Sequence, residues 1–207
     1  MYWMIPVALL VLVAGLVAVG PLMSDVEQAR YEVLDRDGAF ELREYAPHIV
    51  AEVEVSGSRK EAIRKGFQEI ADYIFGNNRG GRKMAMTAPV QQQAGEKIAM
   101  TAPVQQEGAG QSWHIRFVMP AAYTMDTLPR PNNPAVHLVQ VPAVRMAAVR
   151  FSGMANDARL REKTAALEAW LKARSLKAAG SPVYAFYNPP WTLPPFRRNE
   201  VLIPIAP

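Results

Sequence analysis

The chain has 207 residues, 50% hydrophobic and 20% charged, with no cysteine. That is enough to bury a core without crosslinks, and it excludes a disulfide framework, a thiol nucleophile and a cysteine zinc cluster. A net charge of +4 comes from 23 basic and 19 acidic residues that alternate rather than cluster, so no nucleic-acid partner is expected.

Residues 1–23 contain no charged side chain and are dominated by Ile, Val and Leu, which suits a helix that crosses a bilayer. No Lys or Arg precedes the apolar run, and Pro21 directly follows Ala18-Val19-Gly20, the only imitation of a cleavage site. An anchor or uncleaved signal is therefore expected over 1–23, with residues 24–207 as the folded domain. Inner-membrane attachment with the domain facing the periplasm follows from that reading.

Strands are expected at Tyr31 to Leu34 and at Phe40 to Tyr45, on either side of an Asp37-Gly38 turn. A third, half-buried strand follows, in which Ile49, Ala51, Val53 and Val55 alternate with Val50, Glu52 and Glu54. The period then changes. Ser58-x-x-Glu61 is a capping box, and Ile63, Phe67, Ile70 and Ile74 fall at helical spacing over about 59–75.

Lys83-Met-Ala-Met-Thr-Ala-Pro-Val-Gln-Gln92 then recurs as Lys97-Ile-Ala-Met-Thr-Ala-Pro-Val-Gln-Gln106. The even spacing of 14 predicts two strands with Met84, Met86, Ala88 and Val90 on one face and Ile98, Met100, Ala102 and Val104 on its equivalent. Methionine fills cores and also lines sites for flat apolar molecules, so both roles are open for these residues.

Alternation returns in Trp113 to Met119, in 136–141 and in 143–151. Asn156 caps a second helix with an apolar stripe of Leu160, Leu167, Trp170 and Leu171, closing near Gly180. Val183 to Tyr187 and Glu200 to Ile205 end the chain as strands around a proline-rich loop. The order predicts an α+β fold of two pseudo-repeated halves: a distorted antiparallel β-barrel with two helices. A parallel sheet is not expected, since few strands read as buried on both faces.

Motifs for nucleophilic or zinc hydrolysis (Gly-x-Ser-x-Gly, a phosphate loop, His-Glu-x-x-His) are absent from the sequence. Of three histidines, His114 reads as surface, His137 has no assigned face, and His48, at a strand start after Pro47, is the candidate metal ligand.

The two Lys-x-Ala-Met-Thr-Ala-Pro-Val copies, Val149-Arg-Phe-Ser-Gly153, and Tyr184-Ala-Phe-Tyr-Asn-Pro-Pro-Trp-Thr-Leu-Pro-Pro-Phe-Arg-Arg-Asn-Glu-Val201 together resemble the SOUL haem-binding protein family, from about Tyr31 to Ile205. The resemblance implies the barrel fold and no settled enzymatic activity. It also implies haem or another tetrapyrrole bound in an apolar groove beside the first helix. Where some animal members carry a histidine regarded as the iron ligand, this chain has Glu44. Carried over, Arg64 is the propionate partner, Phe67, Ala71, Met86 and Met100 make apolar contact, Tyr187 walls the groove, and His48 is a substitute ligand. The function expected is sequestration or transfer of haem at the cell envelope. The other reading is a GyrI-like small-molecule binder or hydrolase, with Glu44 or Glu52 as acid or base.

Overall fold

A computed structural model describes residues 26–94 and 112–206. The anchor expected over 1–23, the second decapeptide and Met100 lie outside the described residues. Within them, nine strands form one sheet: β1 Tyr31–Asp37, β2 Phe40–Tyr45, β3 His48–Ser56, β4 Val90–Ala94, β5 Ser112–Val118, β6 His137–Val141, β7 Val144–Phe151, β8 Val183–Phe186 and β9 Asn199–Pro204. Two helices accompany it, α1 Arg59–Ile74 and α2 Asp157–Ala173.

The spatial order is β1-β2-β7-β9-β8-β4-β5-β3-β6, with every neighbouring pair antiparallel. Exchanging β2 with β6, β3 with β7, β4 with β8 and β5 with β9 reverses the order of those eight strands onto itself. The register obeys the same exchange: Gln92 lies opposite Ile115 and Tyr184 opposite Val201, while Gln92 and Tyr184 face each other across β4 and β8. The pseudo-twofold axis therefore passes between these two side chains. β2 pairs with β7, and β6 with β3, so each half completes the other's sheet.

Strand alternation sorts the core into two faces. Ala51, Val53, Ile115 and Phe117 meet α1, and Ala147, Val149, Val201 and Ile203 meet α2. The helix-free face carries Tyr45, Val50, Val118, Ala185, Tyr187 and Leu202, and Ala29 from the entering chain packs among them.

Both N-terminal caps form as expected. Ser58 and Glu61 make the reciprocal capping box, and the Asn156 side chain accepts from the backbone N–H of Arg159. Three details differ from expectation. Helix α1 buries Ala62, Gly66, Ile70 and Tyr73 and leaves Phe67 exposed. Gly66 sets that face, because a Cβ there would stand 2.5 Å from Cγ1 of Ile115; only glycine lets the helix lie this close to β5. Helix α2 closes at Arg174 and Ser175, the latter at φ 57°, before Gly180 is reached. Finally, only Val90–Ala94 of the first decapeptide is strand. From Lys83 to Thr87 the chain is irregular and pinned at intervals: the Met84 N–H donates to Ile74 O, and the Thr87 hydroxyl donates to Val118 O.

A histidine cleft, a buried ion cluster and the family of the chain

His48 opens β3 directly after Pro47, where the chain turns back from β2. Its Nδ1 lies 2.9 Å from the carbonyl oxygen of Ala46, and its ring tilts toward Tyr45 with centroids 6.5 Å apart. Nδ1 is thereby committed to a backbone carbonyl, which fixes the ring and leaves Nε2 as the nitrogen for a ligand. Metal-bound histidines are commonly oriented in this way.

The ring borders a cleft of about 630 Å³ between the entering chain (Glu27 to Arg30), the β2–β3 turn and the segment after β5. That volume is within the range of ligand-holding pockets. Ile49, Met119, Tyr123 and Met125 give it apolar walls, and Arg30 puts a cation on the rim. Glu27 is engaged there, since its Oε1 accepts from the Ala121 N–H at 2.8 Å. Donor types that suit a tetrapyrrole are thus together: an imidazole whose second nitrogen has no partner among the described residues, thioether and aromatic walls, and an exposed guanidinium.

The other residues expected in the site are dispersed. Arg64, Phe67 and Ala71 share one stripe of α1, with Arg64 and Phe67 exposed and Ala71 buried. Among the described residues Arg64 has no ion-pair partner, although its charge lowers the pKa of Glu61 together with the stronger Ser58 hydrogen bonds. Phe67 packs its ring 5.4 Å from that of Phe117. Met84 is sealed in the core, and Met86 is half buried against it. None of Arg64, Phe67, Ala71 or Met86 borders the His48 cleft. Tyr187 is buried on the helix-free face, with its hydroxyl donating to Glu200 Oε2 at 2.7 Å.

That hydroxyl belongs to a charged cluster in which sequence reasoning reaches the pairing of Arg198 with Glu200 on the last strand and misses Arg43, Tyr45 and Tyr187. Glu200 on β9 is fully buried and accepts two parallel bonds from Arg43, at 2.7 and 3.0 Å, and two more from Arg198, at 3.0 and 2.8 Å. Arg43 also donates to Glu41 at 2.7 Å and to the Tyr45 hydroxyl at 3.1 Å, and it stacks over Tyr31. Burial works against ionisation of Glu200, but the bonds and charge of Arg43, with the charge of Arg198, hold its carboxyl below the ordinary value. Burial raises the Tyr45 phenol to about 12 and drives Tyr187 higher still. Ionised arginines and glutamate beside neutral tyrosines are therefore the state at neutral pH. The signal was present in two segments that put charged residues at core parity, Arg43-x-Tyr45 in β2 and Arg198-x-Glu200 leading into β9.

The two carboxylates considered for acid–base work are both paired. Glu52 sits between Arg116, which donates to it, and His114, whose Nδ1 is 3.2 Å away. Glu44 is exposed and 3.3 Å from Arg145. Among the described residues no group of three or more His, Asp or Glu side chains is placed to hold a metal ion, and no helix is long and apolar enough to cross a membrane.

Solved structures with the same fold include the C-terminal domain of EcmrR, at TM-score 0.59 and 16% identity, over 85% of this chain and 98% of that one. A hydrolase from Listeria innocua matches at TM-score 0.55 and 10% identity over 84% and 94%. An uncharacterized conserved protein from the same organism matches at 0.56 and 11% over 81% and 92%. At such identities the likeness is one of fold. No curated protein sequence matches the chain. The family profile described as SOUL heme-binding protein matches residues 26–204, a span that holds the first decapeptide, the Arg43–Glu200 cluster and the proline loop, and the chain belongs to that family.

Proposed function

We propose that this protein binds haem or a related tetrapyrrole in the His48 cleft. His48 Nε2 is the iron ligand, Arg30 is the partner of a propionate, and Ile49, Met119, Tyr123 and Met125 are the apolar walls. The observation that carries this reading is the His48 ring, held through Nδ1 by Ala46 O at the border of a cleft of about 630 Å³. Burying roughly 300 Å² of a flat apolar ring contributes about 7 kcal/mol at about 25 cal/mol per Å². An exposed Arg30–propionate pair adds at most about 1 kcal/mol, so the walls and the iron bond decide affinity.

A second location rests on Arg64, which has no ion-pair partner among the described residues and lies one turn from the exposed ring of Phe67. There Phe67, Ala71, Met86 and Met100 are the proposed contacts, with Arg64 as the propionate partner; Tyr187, buried on the helix-free face against Glu200, is not among them. Titrating the protein with haemin while following the Soret band separates the two. His48→Ala abolishes the ligand-field change if the cleft is the site, and Arg64→Glu weakens binding if the α1 stripe is.

The function assigned is sequestration or transfer of the pigment at the cell envelope. Residues 1–23 serve as the membrane anchor of an inner-membrane protein whose domain faces the periplasm. A GyrI-like hydrolase would need a carboxyl free to move a proton, whereas Glu44 and Glu52 are both ion-paired and Glu200 is held ionised by two arginines. That geometry weighs for a binding protein.

A further inference from the structure

The loop between β8 and β9 has an apolar surface that the haem cleft does not use. Pro189, Pro190, Pro194 and Pro195 stiffen it, and the Arg197 guanidinium clamps it from within, donating to Thr192 O at 2.7 Å and to Pro190 O at 2.6 Å. The Gly153 N–H ties it to the end of β7 through Pro194 O at 2.9 Å. A loop so constrained has every opportunity to turn its large side chains inward. It presents them to solvent instead: Trp191 is 64% exposed, and Leu193 and Phe196 are each 49% exposed. Met154, 56% exposed, extends the patch, with its Sδ 3.4 Å from Arg197 Nη1.

Basic groups border the apolar ones. A recess of about 480 Å³ beside Phe196 is lined by Arg150, Arg197 and Arg198. Arg198 is engaged with Glu200, whereas the Arg150 side chain is exposed and has no ion pair among the described residues. The entering chain reaches the same region, because Arg198 Nη1 donates to Gln28 Oε1 at 3.2 Å.

We propose that the loop is a membrane-docking surface. Trp191, Leu193, Phe196 and Met154 enter the interface of an anionic phospholipid bilayer, and Arg150 meets lipid phosphate. Tryptophan beside aliphatic groups suits the interfacial layer, and arginine beside them is drawn to anionic headgroups. A protein partner would also accept the apolar patch, but the arginine recess, with Arg150 exposed to meet phosphate and Gln28 of the entering chain bonded to Arg198 at its edge, favours lipid. The proposal rests on the anchor assigned to residues 1–23 for holding the domain near a bilayer.

The absence of native cysteine makes the test direct. Full-length Leu193→Cys, labelled with an environment-sensitive dye, is mixed with vesicles of phosphatidylcholine alone or with added phosphatidylglycerol. Ala165→Cys on the exposed side of α2 is the control. The expected result is a blue shift and a several-fold gain in emission at position 193 in the anionic vesicles only. No change is expected at 165, and Arg150→Glu reduces the response. An unshifted label at 193 in anionic vesicles overturns the proposal, and an equal shift in neutral vesicles overturns its charge component. Flotation reads the anchor separately. A chain that floats with both vesicle types while the 193 label stays in water keeps the anchor and removes the docking surface; capture by anionic vesicles alone, with the label buried, does the reverse.

Discussion

Replacing Glu200 with Gln tests whether the ion cluster holds the two halves together. The substitution keeps the shape and removes the charge at a fully buried site that accepts two bonds from Arg43, two from Arg198 and one from Tyr187. Arg198 is partly exposed and regains water, but Arg43, with a side chain only 2% exposed, keeps Glu41 as its single anion. Breaking one partner of such a pair costs about 3–5 kcal/mol. For a domain of this size that corresponds to a Tm lowered by roughly 6–20 °C. Thermal and urea unfolding followed by circular dichroism give the number. The double change Arg43→Met with Glu200→Met removes both charges and is expected to cost much less than the sum of the two single changes. The pH dependence carries a sign. Glu200 has a depressed pKa in the fold, so its contribution is present above the unfolded carboxyl value of about 4.3 and is lost as pH falls through the folded value. Glu200→Gln lacks that component of acid sensitivity. A loss below about 1 kcal/mol on Glu200→Gln would refute the claim that an ionised glutamate is required there.

Gly66→Ala gains up to about 1 kcal/mol of helix propensity but drives a methyl group into Ile115; a net loss of about 1–2 kcal/mol is expected on urea unfolding, and net stabilisation would show that α1 can lift from β5. Ser58→Ala removes the capping box of α1 and is expected to lower stability by about 1 kcal/mol in the same assay. Arg30→Gln is expected to weaken haemin affinity no more than about five-fold, because an exposed pair is worth at most about 1 kcal/mol; a hundred-fold loss would mean that Arg30 is buried against the ligand.

Local patterns were legible in the chain. Ser58 with Glu61, and Asn156, announce the two helix starts because a cap needs only neighbours three residues away. The alternation of Ile49 to Val55 and of Trp113 to Met119 states which face of each strand meets α1, while Val50 and Val118 are buried on the other face. Repetition of strand, helix and strand announces two halves, and the family motifs point to the barrel. Features set by distant contacts were not legible. The outward turn of Phe67 follows from the approach of Gly66 to Ile115, 49 positions along the chain and on another element. Lys83 to Ala88 alternates like a strand, yet the Met84 N–H goes to Ile74 O and the Ala88 N–H to Glu27 O of the entering chain rather than to a ladder. The pair of Arg43 with Glu200 spans 157 positions, so core parity marks each as a charge on the buried face without naming the partner that neutralises it. For the candidate site, the sequence offered His48 by type and place; the bond to Ala46 O and the cleft beside it required the fold.

The most direct measurement is a haemin titration of the full-length protein and of His48→Ala, following the Soret band together with the far-ultraviolet circular dichroism that reports folding. A saturable Soret shift in the parent protein, with loss of the histidine-ligated spectrum in a folded His48→Ala, is the expected result. Identical titrations for the two proteins would remove the iron from the His48 cleft, and no saturable shift in either would contradict haem binding itself.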